Sequence, residues 1–268
     1  MPSTRHALSR RLVPLIAVLV ILLAGLNACA APDPCHGLQG SVTHVLFIGN
    51  SYTYVNDLPG TFRALSCSGG HPVETGMAAQ GGWTLADHLG SADTAKALSG
   101  SRWDFVVLQE QSEIPAVQAS REQTMYPAAR QLVARIRSLG ARPILFLTWG
   151  HRDGLPDSGL KDYAAMQFAL STGYLTLGHE LNVAVAPVGE AWGAARSQSP
   201  PLDLWQDDGS HPNQQGTYLA ASVFYAVIFR QSPVGLSDHA GLPAAAVSNL
   251  QALAADKVLN HLAEWYLH

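Results

Sequence analysis

The sequence predicts an α/β fold in which helices cover both faces of a mostly parallel, five-stranded sheet. Short apolar runs of strand length alternate along the chain with longer segments whose apolar residues recur at helical spacing. Continuous apolar strands that alternate with helices are typical of parallel sheets buried on both faces. No linker-like change in composition divides residues 40–268, and the sequence has no internal repeat. We therefore expect one three-layer α/β/α domain over residues 41–268.

The predicted strands and helices follow one another in alternation. The five segments predicted to be strands cover residues 45–48, 73–79, 105–109, 143–149 and 183–188. The segments predicted to be helices cover residues 58–66, 84–98, 121–139, 163–181, 214–229 and 244–267. In the third of these helices Leu132, Val133, Ile136 and Leu139 recur at helical spacing, and Gly140 stands where a helix is expected to stop.

The first 28 residues have the composition of an export signal. Three arginines precede an uncharged apolar stretch over residues 12–26, and the first 28 residues contain no acidic residue. The apolar stretch is short for a membrane-spanning helix. The Leu-Asn-Ala-Cys sequence that ends at Cys29 resembles the lipobox of bacterial lipoproteins. It predicts a signal peptide over residues 1–28, a lipidated Cys29, a tether over residues 29–40 and a membrane-anchored protein of the bacterial envelope. Ordinary secretion after cleavage, or an uncleaved anchor, are the open alternatives.

The rest of the chain is acidic, and its cysteines form a pair. The full sequence has 16 basic and 20 acidic residues, a net charge of −4, and three of the basic residues fall in the signal. An acidic chain without a Lys/Arg cluster argues against nucleic acid as a partner. With Cys29 lipidated or removed, Cys35 and Cys67 remain. In an oxidising compartment this pair predicts a disulfide, with two buried thiols as the alternative.

Two short segments carry the side chains of an activated serine. Residues 47–51 end the first predicted strand in a Gly-Asn-Ser turn, which places Ser51 at the carboxyl edge of the sheet, where open α/β folds bind ligands. Near the other end of the chain, Asp208 and His211 are three residues apart, close enough for the carboxylate to orient the imidazole. A serine hydroxyl needs an adjacent base and an orienting group. We predict Ser51, Asp208 and His211 as a catalytic triad, and the spacing favours Asp208 over Asp207.

With these segments in this order, the chain resembles the SGNH hydrolase superfamily, the GDSL-like esterases and lipases. The resemblance covers about residues 44–217, and the first block reads Gly49-Asn50-Ser51, with Asn50 where many members carry Asp. The last block, Asp208-x-x-His211, fits the family without departure. The resemblance implies a flavodoxin-like sheet and four motif blocks that each supply one catalytic residue. It also implies an acyl-enzyme mechanism on carboxylic esters.

The same resemblance implies an oxyanion hole built from backbone and side-chain donors. The backbone N–H of Ser51 is one donor, and Gly81 and Gly82 are both candidates for a second; Gly82 is favoured because the family often places Thr two residues later. The third block departs from the usual Gly-x-Asn-Asp and resembles bacterial members with Leu-Gln-x-x-Ser. Gln111 stands at the Asn position, and its longer side chain still carries a neutral N–H donor.

Further residues near predicted strand ends are candidates for the substrate pocket, and no cofactor is predicted. The pocket candidates are Asn50, Trp83, Glu110 and Trp149; the two indoles could cover the apolar face of a sugar, and Glu110 could instead be a capping carboxylate. The 11 histidines form no His-Glu-x-x-His or Cys/His pattern, so no metal site is predicted. The sequence also lacks a P-loop and a Gly-x-Gly-x-x-Gly turn after a strand, which disfavours nucleotide cofactors.

These features predict an exported serine esterase that acts on short acyl groups, above all acetyl groups on carbohydrates. The expected partners are a small-molecule or polysaccharide ester and, through the lipid on Cys29, a membrane. A lipase or thioesterase for longer acyl chains is one alternative. A surface lipoprotein that binds glycans without turnover is the other, because fold alone does not set function.

Overall fold

The computed structural model describes residues 1–2 and 33–267. The predicted signal peptide and Cys29 lie outside the described residues, apart from the first two positions, so lipidation stays a prediction. Of the predicted tether, residues 33–40 are described. In the described part of the chain, no helix is both long enough and apolar enough to cross a membrane.

A five-stranded sheet forms the centre of the described domain, and every strand pair in it is parallel. Its strands are β1 (Thr43–Gly49), β2 (Val73–Ala79), β3 (Phe105–Leu108), β4 (Arg142–Phe146) and β5 (Ala184–Ala186), in the order β2-β1-β3-β4-β5. This order confirms the flavodoxin-like fold. The chain leaves β1 toward β2 on one side and reaches β3 on the other, and such a reversal opens a crevice beyond the carboxyl ends of β1 and β3.

Most of the helices agree with the sequence prediction in position. They are α1 (Ser51–Tyr54), α2 (Leu58–Ser68), α3 (Leu85–Gly90), α4 (Ala92–Ser99), α5 (Gln118–Ser120), α6 (Tyr126–Ser138), α7 (Tyr163–Leu181), α8 (Val188–Arg196), α9 (Gln214–Phe229) and α10 (Ala244–Leu259). The predicted helix over residues 84–98 is two helices, because Ser91 is extended and its side chain caps α4. Helices α1 and α8 were not predicted, and α10 ends at Leu259 rather than at residue 267.

Alternate side chains of the strands build two separate hydrophobic layers. Val45 and Phe47 of β1 pack with α2, α8, α9 and α10 on one face of the sheet. Leu46 and Ile48 pack with α3, α4, α6 and α7 on the other face. Burying an aliphatic or aromatic side chain of this size contributes about 1.5–3 kcal/mol. The sheet is therefore fixed from both sides, and its carboxyl edge is a rigid platform for the loops that follow the strands.

A disulfide joins the segment before β1 to helix α2. It links Cys35 to Cys67, whose Cα atoms are 4.9 Å apart and which are separated by 32 positions in the sequence. Asp33 and Arg63 form an ion pair of 2.6 Å beside it. Of the two alternatives for this cysteine pair, the structure has the disulfide.

Candidate active site

The structure brings Ser51, His211 and Asp208 together at the carboxyl edge of the sheet. Ser51 is the first residue of α1, directly after β1, and its Oγ lies 2.9 Å from Nε2 of His211. The other ring nitrogen, Nδ1, lies 2.5 Å from Oδ2 of Asp208. An ionised carboxylate can only accept, so Nδ1 donates and Nε2 is left to accept the Ser51 proton. Asp208 is the partner, while the neighbouring Asp207 is exposed.

Two side chains hold Ser51 in place by hydrogen bonds: that of Asn50, which precedes it, and that of Gln109, the first residue after β3. Asn50 caps α1, since its Oδ1 accepts from Tyr52 N at 3.1 Å, and its backbone N–H donates to Gln109 Oε1 at 2.8 Å. Gln109 Oε1 also accepts from the Thr53 hydroxyl at 3.0 Å. A Cβ on Gly49 would collide with the side chains of Gln109 and Thr53, so this turn requires glycine. This role of Gln109 was not predicted; its only signal in the sequence is a polar residue at the end of an apolar strand.

The Asp208 carboxylate is fixed by the turn that it begins. Oδ1 accepts from the backbone N–H groups of Ser210 and His211, each at 2.9 Å. Gly209, between Asp208 and Ser210, has a φ of +69°, which favours glycine. Desolvation raises the pKa of Asp208, but these hydrogen bonds and the His211 imidazole outweigh it and lower the pKa to about 2. Asp208 is therefore ionised throughout the neutral pH range, as an orienting group must be.

An aromatic stack supports the loop that carries His211. The His211 ring packs edge-on against Tyr52, with centroids 5.7 Å apart, and Tyr52 lies flat on Trp149 at 4.5 Å. The Tyr52 hydroxyl lies 2.7 Å from Ser210 Oγ, and the Trp149 indole donates to the Ser210 carbonyl at 3.0 Å. Trp149 is fully buried and also stacks on Trp192. The prediction that Trp149 lines the substrate pocket is wrong, because its ring is a core element beneath the His211 loop.

The candidate oxyanion donors lie around the same cleft, which has a volume of about 380 Å³. Gly81, Gly82 and Gln111 line it together with Ser51. Gly82 has a φ of +73°, and nothing lies within 4 Å of the position its Cβ would take. Gln111 Oε1 accepts from Glu113 N at 2.8 Å and Ile114 N at 3.2 Å. This fixes the amide so that its NH₂ group is the end available to a ligand, near Ser112 Oγ at 3.4 Å.

Of the other three pocket predictions, two need correction. Asn50 borders the cleft, but it is buried and its polar atoms are used within the protein, Nδ2 donating to the Trp83 carbonyl at 3.0 Å. Trp83 lines a different concavity and packs against His88. Glu110 is fully buried, with its carboxylate on backbone N–H groups. Asn50 is therefore part of the cleft lining, whereas Trp83 and Glu110 lie outside it.

The sequence analysis missed several residues that do line the cleft. Tyr54 is 40% exposed and presents the only large aromatic surface of the cleft lining that is accessible to that degree. It lies three positions after Ser51 on α1, and residues at this spacing share a helix face, which is the signal that could have identified it. Ser112 also lines the cleft, and its Oγ lies 3.2 Å from Nε2 of His151. Burial lowers the pKa of His151, which disfavours its charged form beside the cleft. Within the described residues, no group of three or more His, Cys, Asp or Glu side chains is arranged to hold a metal ion.

The chain is similar to several proteins of solved structure. No protein-family model matches the chain, and no curated protein matches it either. A protein from Slackia heliotrinireducens, proposed to be an SGNH hydrolase, is 27% identical, with a TM-score of 0.60 over 69% of this chain and 98% of that one. A DUF4886 family protein from Bacteroides uniformis is 18% identical, with a TM-score of 0.70 over 83% of this chain and 95% of that one.

An acetylxylan esterase from Geobacillus stearothermophilus has the same fold at 17% identity, with a TM-score of 0.51 over 70% of this chain and 94% of that one. At this identity the likeness concerns the fold alone. The protein from Slackia heliotrinireducens is similar in sequence as well, and this chain spans nearly all of it. This likeness in both sequence and fold supports the SGNH hydrolase superfamily, the GDSL-like carboxylic ester hydrolases, as the family of this chain.

Proposed function

We propose that this protein is a serine esterase that works by acyl transfer through Ser51, His211 and Asp208. The observation that carries the proposal is the single imidazole of His211, which bridges the Ser51 hydroxyl and the Asp208 carboxylate. A serine activated in this way is a nucleophile for ester carbonyls. The position of this group at the reversal of strand order, where α/β folds bind ligands, supports the same conclusion.

The mechanism follows from the positions of these atoms. Ser51 Oγ attacks the ester carbonyl carbon while His211 Nε2 takes the hydroxyl proton, and the Asp208 carboxylate stabilises the imidazolium. The carbonyl oxygen becomes an oxyanion that the N–H groups of Ser51 and Gly82 and the side-chain amide of Gln111 stabilise. His211 returns the proton to the alcohol oxygen as the ester bond breaks. Water then attacks the acyl-enzyme by the same route and releases the carboxylic acid and free Ser51.

We further propose short acyl groups on a carbohydrate as the substrate. The residues that line the cleft are polar or small apart from its two tyrosines, so a long acyl chain would find little apolar surface. The exposed ring of Tyr54 offers a flat face at the rim, which suits the apolar face of a sugar. Proteins described as acetyl xylan esterases share the fold, which supports this substrate class.

The protein is proposed to act outside the cytoplasm, anchored by a lipid on Cys29. The signal-like first 28 residues and the lipobox-like sequence support export. The disulfide between Cys35 and Cys67 supports it independently, since disulfides persist in oxidising compartments.

The test of the function is hydrolysis of aryl esters from acetyl to octanoyl, and of acetylated xylan, by the protein and its variants. Ser51→Ala, His211→Ala and the double variant should each lose nearly all activity, because triad residues act as a unit. Asp208→Asn should lower kcat by up to about 10⁴-fold. Asp207→Asn is the matched control, because Asp207 is exposed and adjacent but Asp208 holds the imidazole.

Two results would contradict the proposal. Retention of more than about a tenth of the activity in Ser51→Ala would move the nucleophile elsewhere. A kcat/KM that rises steadily from acetyl to octanoyl esters would favour a lipase, since each added methylene that fits a pocket contributes about 1–3 kcal/mol of discrimination.

A further inference from the structure

Two consecutive polar side chains, Gln109 and Glu110, are fully buried where β3 ends. Burying a polar group is costly unless it is hydrogen-bonded, and burying a carboxylate costs more. The hydrogen bonds of Gln109 explain its burial, because its Oε1 accepts from Asn50 and Thr53 in the turn that carries Ser51. Neither the triad nor the cleft lining uses Glu110.

The Glu110 carboxylate joins two segments that border the cleft. Its Oε1 accepts from the backbone N–H of Leu85 at 3.1 Å and from the backbone N–H of Gln111 at 2.7 Å. Leu85 is the first residue of α3, three positions after Gly82. One oxygen therefore fixes the segment that follows the glycine turn and the backbone of Gln111 within the third motif block.

Gln111 is held at both its backbone and its side chain. Glu110 occupies its backbone N–H, so this group is not available to an oxyanion. Its side-chain oxygen accepts from Glu113 and Ile114, which leaves only the NH₂ group to face a ligand. A side chain fixed in this manner is preorganised, and an oxyanion donor gains most of its effect from preorganisation.

We propose that Glu110 is a positioning residue for catalysis: its buried carboxylate holds the Gly82 turn and Gln111 at the spacing that an oxyanion requires. This inference rests on the proposed esterase function. Glu110 itself does not line the cleft, so it acts through the residues that do. Displacement of a catalytic group by about 1 Å can lower the rate by about 10²-fold. Loss of the two hydrogen bonds that Glu110 accepts should therefore lower kcat measurably.

The two hydrogen bonds that Glu110 accepts require an acceptor oxygen and not a negative charge. A protonated carboxyl and a carboxamide both keep one carbonyl oxygen that can accept the two N–H groups. The groups that face Glu110 are Tyr174 of α7, whose hydroxyl lies 3.4 Å from the Glu110 backbone N, and Asp87 of α3. Neither is a cation, so no ion pair compensates a charge at Glu110. Glu110→Gln should therefore keep these two hydrogen bonds, and Glu110→Ala should remove them.

The experiment compares kcat and KM on an aryl acetate for the purified protein, Glu110→Ala and Glu110→Gln. We expect Glu110→Ala to lower kcat by about 10- to 100-fold with KM changed by less than about 3-fold, because the loss falls on the transition state. Glu110→Gln should stay within about 3-fold of the unmodified protein. Hydrogen exchange at Leu85 and Gln111 should accelerate in Glu110→Ala alone, since these two amides lose their acceptor.

Gln251→Ala is the matched control for the removal of a buried capping side chain. Gln251 is buried, its Oε1 accepts from Gly235 N at 2.9 Å, and its Nε2 donates to the hydroxyl of Tyr218 at 2.9 Å. It lies on α10, outside the cleft lining. This variant should lose stability but keep kcat, which separates a general loss of stability from a loss of positioning.

A kcat for Glu110→Ala within about 3-fold of the unmodified protein would overturn the inference. So would a loss in Glu110→Gln as large as that in Glu110→Ala, because the acceptor oxygen is retained. If Glu110→Ala does not fold, Glu110→Asp makes the same test, since its carboxylate is one methylene too short to reach both N–H groups. Failure of the proposed function is a different result: the unmodified protein would hydrolyse none of the esters.

Discussion

Glu110→Gln should change how the stability of the protein depends on pH. Burial raises the pKa of Glu110 from 4.5 to about 7; the hydrogen bonds from Gln111 and Leu85 oppose this shift, and the charge of Asp87 adds to it. Between these two pH values the folded protein keeps a proton that the unfolded chain has released. The folded state therefore loses stability as the pH rises through this window. At about 1.4 kcal/mol per pH unit, the window of about 2.5 units corresponds to roughly 3 kcal/mol.

The glutamine variant lacks this titration. Its carboxamide is neutral at every pH, so its free energy of unfolding, relative to that of the unmodified protein, should rise by about 3 kcal/mol from pH 4.5 to about pH 8. A constant offset accompanies this rise. Oε2 of Glu110 is buried without a hydrogen-bond partner among the described residues, and an NH₂ group at that place would cost about 1–3 kcal/mol at all pH values. The prediction concerns the change with pH and not the offset.

The free energy of unfolding of both proteins is measured by urea unfolding at several pH values between 4.5 and about 8, with tryptophan fluorescence as the signal. Glu122→Gln, which removes an exposed carboxylate, is the matched control and should show no such slope. A difference between Glu110→Gln and the unmodified protein that stays constant over this range would refute the assignment of a raised pKa to Glu110.

Three further predictions concern the cleft and the anchor. Gln111→Ala should lower kcat by about 10²–10³ with little change in KM; an unchanged kcat would make Gln111 structural. Tyr54→Ala should raise KM for acetylated xylan more than for an aryl acetate, because its exposed ring is proposed to face the sugar; equal effects on both would remove that role. Labelling with a palmitate analogue should mark the full-length protein and be lost in Cys29→Ser, whereas labelling that survives this change would disprove the anchor.

Most of the strands were predictable because they are largely continuous apolar runs, but their ends were not. The run over residues 183–188 was predicted as one strand, whereas β5 has only three residues. The register explains the difference, since only Ile144, Leu145 and Phe146 of β4 pair with it. The chain then turns at Pro187 and begins α8, whose buried residues continue the apolar run. Hydrophobicity alone does not separate a buried strand from the buried first turn of a helix.

The triad residues were predictable because chain order and spacing already restrict their geometry, whereas the pocket residues were not. Trp149 and Glu110 were assigned to the pocket because they follow strands at the correct edge. Position at an edge does not determine the direction of a side chain, and both side chains point into the protein. Tyr54 and Ser112, which do line the cleft, could be found only from their spacing to residues already assigned, three positions after Ser51 and one after Gln111.

The third motif block shows how a departure from the family pattern can be compensated within the fold. Where the family usually has Gly-x-Asn-Asp, this chain has Gln109-Glu110-Gln111-Ser112. Gln109 replaces the glycine, and its side chain accepts from Asn50 N and Thr53 Oγ1 at the nucleophile turn. Glu110 reaches the α3 side, and Gln111 faces the cleft. Three consecutive residues thus contact three different parts of the site, the nucleophile turn, α3 and the cleft, so the block has to be interpreted as a unit.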